Sequence, residues 1–63
     1  METYTALIVE DVKETSDYIY QRVSMLCPAI VKIDQALTLS EAEEFIESNR
    51  YDIVFLDIQM QTG

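Results

Sequence analysis

The sequence lacks the residues from which disulfides, zinc sites and catalytic thiol pairs are built. It contains no histidine and one cysteine, Cys27, in 63 residues. A single cysteine cannot form an internal disulfide, and without histidine a catalytic thiol has no imidazole partner and zinc has no ligand set. Small secreted domains commonly depend on disulfides. We therefore expect a cytoplasmic protein in which Cys27 has no chemical role.

Positive charge is also scarce. Four Lys and Arg residues stand against twelve Asp and Glu residues, which gives a net charge of −8. This balance argues against direct binding to nucleic acid or to an anionic membrane, and it favours a cation or a basic partner. The sequence has no apolar run near the roughly 20 residues of a membrane span, and its start lacks the basic residues of a signal peptide.

Only one glycine and one proline are present, which leaves little room for linkers. With 49% hydrophobic and 25% charged residues, the composition is typical of a folded globular chain. A domain of this size buries only about 60% of the surface that its unfolded chain exposes. We expect one small domain of marginal stability.

The spacing of the apolar residues changes within the first half of the chain. Tyr4–Val9 becomes nearly all-apolar from Ala6, which predicts a strand covered on both faces. A helical stripe follows and should end by about Leu26, because Pro28 removes a backbone donor and restricts the residue before it. The predicted inner stripe consists of Val12, Ile19, Val23 and Leu26.

The second half repeats this order. Ile30–Ala36 alternates apolar and polar residues, which predicts a strand at a sheet edge. Thr38 and Glu41 match a capping box and predict the start of a second helix. The apolar run Ile53–Leu56 predicts a third strand buried on both faces. The second helix is expected to bury Leu39, Ala42, Phe45, Ile46 and Asn49 and to expose Glu41, Glu43, Glu44 and Glu47.

Alternation of strand, helix, strand, helix and strand predicts an α/β fold with parallel strands joined by right-handed crossovers. In such a sheet the carboxyl ends of the strands lie at one edge, where ligands bind. Glu10 and Asp11 directly follow the first strand, and Asp57 directly follows the third. We expect these three carboxylates to converge.

Converging carboxylates repel one another unless a cation is bound. Mg²⁺ suits them, because it takes one or two carboxylates together with waters, phosphate oxygens and backbone carbonyls such as one near Gln59. A carboxylate can also be a nucleophile that forms an aspartyl phosphate. Asp57 is the stronger nucleophile candidate, because it stands alone while Glu10 and Asp11 form a pair placed to hold the metal.

The run from Ala6 to Asp11, the spacing to Asp57 and the segment Asp57-Ile58-Gln59-Met60 resemble the first half of a bacterial response-regulator receiver domain. The resemblance implies a βαβαβ half of a flavodoxin-like doubly wound parallel sheet, with strand order 2-1-3 of 2-1-3-4-5. It also implies that residues 1–63 are a truncated receiver domain with the first three strands and two helices. Such a domain is a phosphoacceptor switch rather than an enzyme.

The resemblance also implies the site residues and partners. Asp57 would be the phosphoacceptor, Asp11 and Asp57 would bind Mg²⁺ directly, Gln59 would offer its backbone carbonyl, and Glu10 would act through water. A sensor histidine kinase or a small phosphodonor would supply the phosphoryl group. The switch would act on an output domain or partner beyond this chain, and the segment after Asp57 is similar to receivers that precede LytTR-type DNA-binding domains in transcription regulation.

Two departures from the family pattern stand out. Gln61 occupies a position where receivers often have proline, and the sequence ends at Gly63, before the fourth and fifth strands that supply a Ser/Thr and a Lys. This ending is expected for a shortened form or a cleavage product. In strand order 2-1-3 the third strand would be a bare apolar edge, so we expect self-association through it.

Two other functions fit parts of the pattern. A pseudo-receiver that takes no phosphate would act as a protein-interaction or dimerisation module, and it would be indifferent to Mg²⁺. A metal-dependent phosphohydrolase of doubly wound type would need an acid two residues after its nucleophile. Gln59 occupies that position after Asp57, which disfavours the hydrolase.

Overall fold

The computed structural model describes residues 2–56, which form three strands and two helices in alternation. The strands are β1 (Tyr4–Val9), β2 (Ile30–Ala36) and β3 (Ile53–Leu56), and the helices are α1 (Lys13–Leu26) and α2 (Leu39–Ser48). The predicted α/β class and all five elements are confirmed. Helix α1 begins one residue later than the stripe from Val12 indicated, because Val12 has extended backbone angles and is the residue that precedes the helix.

The three strands are parallel and lie in the order β2-β1-β3. This confirms the predicted half of a doubly wound sheet. The central strand β1 pairs Val9 with Ala36 on one side and with Leu56 on the other. All three strands therefore end at the same edge of the sheet.

The two helices cover opposite faces of the sheet. Gln35 and Ala36 are neighbours in β2, so their side chains point to opposite faces. The Gln35 amide donates to Ser16 of α1, whereas Ala36 belongs to a hydrophobic cluster with Ala42 of α2. The cluster also contains Leu7 and Val9, with Phe45 and Tyr51 packed against it. Burial of β1 between the two helices confirms the two-sided burial predicted for this strand.

The capping box at the start of α2 is confirmed with one difference. The Thr38 hydroxyl accepts a hydrogen bond from the Glu41 N–H at 3.0 Å, which satisfies one free donor of the first turn. The Glu41 carboxylate accepts from the Leu37 N–H at 2.8 Å, one residue before the position of the standard motif. The side chains of Thr38 and Glu41 therefore both stabilise the start of α2.

The predicted burial of β3 on both faces is wrong, because the residues on one face are exposed and those on the other face are only partly buried. Val54 is 45% exposed and Leu56 is 64% exposed, while Ile53 and Phe55 are partly buried. Both helices pack over β1 and β2, and within residues 2–56 neither comes close to β3. An all-apolar strand is buried on both faces only where layers cover both, and within residues 2–56 neither helix forms such a layer over β3.

The predicted inner stripes of the helices are also only partly buried. In α2, Ala42 is buried and Phe45 is partly buried, but Leu39 and Ile46 are each 52% exposed and Asn49 is exposed. In α1, Ile19 and Val23 are partly buried, whereas Val12, before the helix, and Leu26, at its end, are exposed. The helices rest on two strands, so positions at their ends and flanks extend past the sheet.

Candidate functional site

Glu10 and Asp11 lie where β1 ends, and they have opposite environments. Glu10 is 3% exposed, and its N–H donates to the Ala36 carbonyl at 3.0 Å, which extends the pairing with β2 by one residue. Its Oε2 accepts from the Val12 N–H at 3.0 Å. Asp11 is exposed. The buried acid therefore shapes the turn into α1, while the next acid is open to solvent.

Asp57 and Gln59, the other two predicted site residues, lie outside the described residues. What the structure provides is the register that leads to them: Leu56, directly before Asp57, pairs with Val9, directly before Glu10. Within residues 2–56 no three side chains of the His, Cys, Asp and Glu types are grouped so that they could hold a metal ion. The metal site thus stays a prediction. Glu10 and Asp11, which directly follow β1, lie at the expected edge of the sheet.

Lys13, the first residue of α1, forms an ion pair within its own helix. Its Nζ lies 2.9 and 3.0 Å from the two carboxylate oxygens of Asp17, one turn further on. The hydrogen bonds from the Gln35 amide and then from Lys13 lower the pKa of Asp17, because they favour the charged carboxylate. This ion pair is a local feature of α1 and adds no ligand to the site.

Ser16 is a buried polar residue that the sequence interpretation missed. It is fully buried, and its Oγ accepts from the Gln35 side chain at 2.8 Å. The same Gln35 amide donates to Asp17 Oδ1 at 3.0 Å, so it ties two residues of α1 to β2. The spacing in the sequence could have predicted this burial, because Ser16 stands four residues after Val12 and three before Ile19 and so lies on the predicted inner stripe.

The opposite edge of the sheet, where the strands begin, is held by side chains. Asp52, just before β3, accepts the Thr5 N–H on Oδ2 at 2.9 Å, and its own N–H donates to the Thr5 carbonyl at 3.0 Å. The Thr5 hydroxyl donates to the Arg50 carbonyl at 3.0 Å. These bonds fix the start of β3 against β1, and therefore the register in which both strands end.

Tyr51 is held on the α2 face, where its hydroxyl donates to the Asp34 carboxylate of β2. Burial, together with the hydrogen bond to Asp34 and its negative charge, raises the pKa of Tyr51 from 10.0 to about 12. The folded state therefore holds this phenolic proton more tightly than the unfolded state does. The resulting stability is fully present below pH 10 and is lost as the pH rises toward 12.

This linkage predicts a specific alkaline effect. The free energy of unfolding of the native chain should fall between about pH 10 and pH 12, and Tyr51→Phe should reduce that fall. At neutral pH the same variant should lose about 1 kcal/mol, the net value of one hydrogen bond. Urea unfolding at several pH values measures both effects. Tyr20→Phe, which removes an exposed hydroxyl from α1, is the control. Equal alkaline slopes for the native chain and Tyr51→Phe would contradict the linkage.

No protein-family model, curated protein or solved structure matches the chain. Within residues 2–56, neither helix has the length and apolar character needed to cross a membrane. The functional interpretation therefore depends on the residues at the carboxyl edge of the sheet.

Proposed function

We propose that this chain is the phosphoacceptor half of a two-component response-regulator receiver domain, acting in the cytoplasm. The observation that carries the proposal is the parallel pairing of β1 and β3, in which Val9 lies beside Leu56. Glu10 and Asp11 follow the first of these residues in the sequence, and Asp57 follows the second. Acids that leave adjacent parallel strands at one edge can share a ligand in the crevice beyond that edge.

The different burial of the two acids supports a division of roles. The exposed Asp11 would bind Mg²⁺ directly, together with Asp57 and the Gln59 carbonyl. The buried Glu10, whose carboxylate already accepts the Val12 N–H, would act through a water molecule. An oxygen-only set of carboxylates and a carbonyl fits the ligand preference of Mg²⁺. When bound, the ion would neutralise the charge that crowds these carboxylates and the incoming phosphoryl oxygens.

The chemistry assigned to the chain is one transfer step. A carboxylate oxygen of Asp57 attacks the phosphorus of the donor, a new O–P bond forms, and the bond to the histidine nitrogen or small leaving group of the donor breaks. A sensor histidine kinase is the proposed physiological donor, so the chain is a substrate and switch rather than an enzyme. The added phosphoryl group carries nearly two negative charges, which would rearrange nearby loops and bias an output domain or partner.

Asp11→Asn tests the metal site directly. The change removes a charged direct ligand, and losing even an outer-shell partner of a metal site typically costs about 10–100-fold in affinity, so we expect the Mg²⁺ affinity to fall at least about tenfold. Asp11 is exposed, so the fold should be preserved. Isothermal titration of Mg²⁺ measures the affinity. Glu14→Gln is the matched control, because it removes the same charge from the first turn of α1, three residues away. Equal losses for both variants would show only a general effect of net charge and would count against the site.

A second candidate function is a pseudo-receiver that acts as a dimerisation module. The observation that favours it is the apolar strand β3, which has β1 as its only strand neighbour within residues 2–56. An open strand edge is a template for pairing with another chain, so we propose self-association through β3 in either case. Dimers in sedimentation experiments combined with indifference to Mg²⁺ would favour the module over the phosphoacceptor.

A further inference from the structure

Gln35, the last residue but one of β2, bonds this strand to the first turn of α1. Its side-chain amide donates to Ser16 Oγ at 2.8 Å and to Asp17 Oδ1 at 3.0 Å. Ser16 is 0% exposed, so the first of these bonds is shielded from water. A hydrogen bond is directional, whereas apolar packing is not. This contact therefore fixes where the start of α1 lies along the strand.

The first turn of α1 is bonded in turn to the residues that follow β1. The Ser16 N–H donates to the Val12 carbonyl at 2.9 Å, and the Val12 N–H donates to Glu10 Oε2 at 3.0 Å. The Glu10 N–H donates at 3.0 Å to the carbonyl of Ala36, the residue after Gln35. These bonds form a closed ring that begins and ends on β2. Its members are Gln35, Ser16, Val12, Glu10 and Ala36.

Asp11 lies inside this ring, between two bonded residues. Its backbone joins Glu10 to Val12, and the peptide group that it shares with Val12 donates to the Glu10 carboxylate. The Asp11 side chain is exposed. Because the backbone angles of a residue restrict its side-chain rotamers, the direction of the Asp11 carboxylate depends on that backbone. The ring thus influences where Asp11 presents its oxygens at the carboxyl edge of the sheet.

We propose that Gln35 is a positioning residue for Asp11, the proposed direct Mg²⁺ ligand. Its bond to Ser16 closes the ring, and the ring fixes the backbone on both sides of Asp11. The inference rests on the proposed function, since it assigns Gln35 to the same metal site. Groups that orient metal ligands typically contribute about 10–100-fold in affinity. Gln35 is uncharged and is not one of the proposed ligands, so it acts on this site through geometry and not through charge.

Gln35→Met tests this role, because it keeps the length of the side chain and the net charge but removes the amide. We expect the Mg²⁺ affinity in isothermal titration to fall about tenfold. Gln21→Met makes the same change at an exposed residue of α1 and should bind like the native chain. Ser16→Ala/Gln35→Met removes both polar partners, so no buried hydroxyl is left without its donor and the fold is protected. Its affinity should be as low as that of Gln35→Met.

Hydrogen exchange of the metal-free chains separates positioning from a general loss of stability. The Ser16 N–H bonds to Val12 in the first turn of α1, and the Ala42 N–H makes the equivalent bond to Thr38 in α2. In both variants that carry Gln35→Met, we expect exchange at positions 12 and 16 to become several-fold faster. Exchange at Ala42 should stay native, because only the start of α1 is loosened.

The outcomes distinguish this inference from the proposed function. A native chain that binds Mg²⁺ beside a Gln35→Met chain of equal affinity would overturn the role of Gln35 and leave the phosphoacceptor proposal intact. Equal acceleration of exchange at Val12 and Ala42 would also overturn that role, because the loss of affinity would then follow from general destabilisation. So would native affinity in Ser16→Ala/Gln35→Met. A native chain that binds no Mg²⁺ would overturn both proposals.

Discussion

Leu7→Ala is expected to unfold a large fraction of the chain at room temperature. Leu7 lies in the middle of the central strand, is 0% exposed and belongs to the cluster that joins β1 to α2. Removing a buried leucine side chain typically costs about 2–5 kcal/mol, through lost burial and the cavity left behind. Native chains have about 0.05–0.15 kcal/mol of stability per residue, which corresponds to about 3–9 kcal/mol at this length. One substitution therefore removes much of the total.

Urea unfolding followed by circular dichroism measures this loss. Leu26→Ala is the matched control, because it makes the same change at a residue of α1 that is 68% exposed, and it should alter the midpoint only slightly. A partly unfolded Leu7→Ala sample beside a stable Leu26→Ala sample would locate the core on β1. Similar midpoints for the two variants would mean that the central strand does not carry the stability of the fold.

Local sequence patterns were sufficient to predict the elements and their order. The change from a nearly all-apolar run to helical spacing after Val9, the stop before Pro28 and the capping box at Thr38 each mark a boundary that the structure confirms. Each of these boundaries is set by the backbone preferences of residues that are close together in the sequence, so the sequence alone is enough to predict it. The order of alternation then restricted the topology, because crossovers between parallel strands are almost always right-handed.

Burial was predicted less well, because it depends on which layers lie over each residue. Val54 and Leu56 have the same apolar character as the buried residues of β1, yet they are exposed, since α2 does not extend over β3. Ser16 shows the opposite case: a polar residue is fully buried because Gln35 of β2 supplies a hydrogen bond. A sequence pattern predicts which face of a helix or strand is apolar, but it does not show whether another element packs on that face.

The candidate site was predicted in part. Glu10 and Asp11 occupy the carboxyl edge of the sheet as expected, and β3 ends beside them. Their difference in burial could not be read from the sequence, because it follows from the contacts of Glu10 with Ala36 and Val12. Asp57 and Gln59 lie outside the described residues, so their part in the site remains a prediction.

Asp57→Asn is expected to abolish phosphoryl transfer to the chain. The amide keeps the size of the side chain but removes the charge and the nucleophilic oxygen, so no aspartyl phosphate can form. The other acids at the edge are proposed to bind metal and not to take the phosphoryl group. Glu47→Gln, which removes an exposed carboxylate from the outer face of α2, is the control and should be phosphorylated like the native chain. The native reaction should also depend on Mg²⁺.

The intact mass of the native chain, recorded after incubation with a small acyl phosphate in the presence and absence of Mg²⁺, tests the phosphoacceptor function most directly. We expect the mass of one added phosphoryl group with Mg²⁺ and none without it, and no addition to Asp57→Asn under either condition. A native chain that stays unmodified with Mg²⁺ and donor, or an Asp57→Asn chain that still gains the group, would contradict the assignment of Asp57 as the phosphoacceptor.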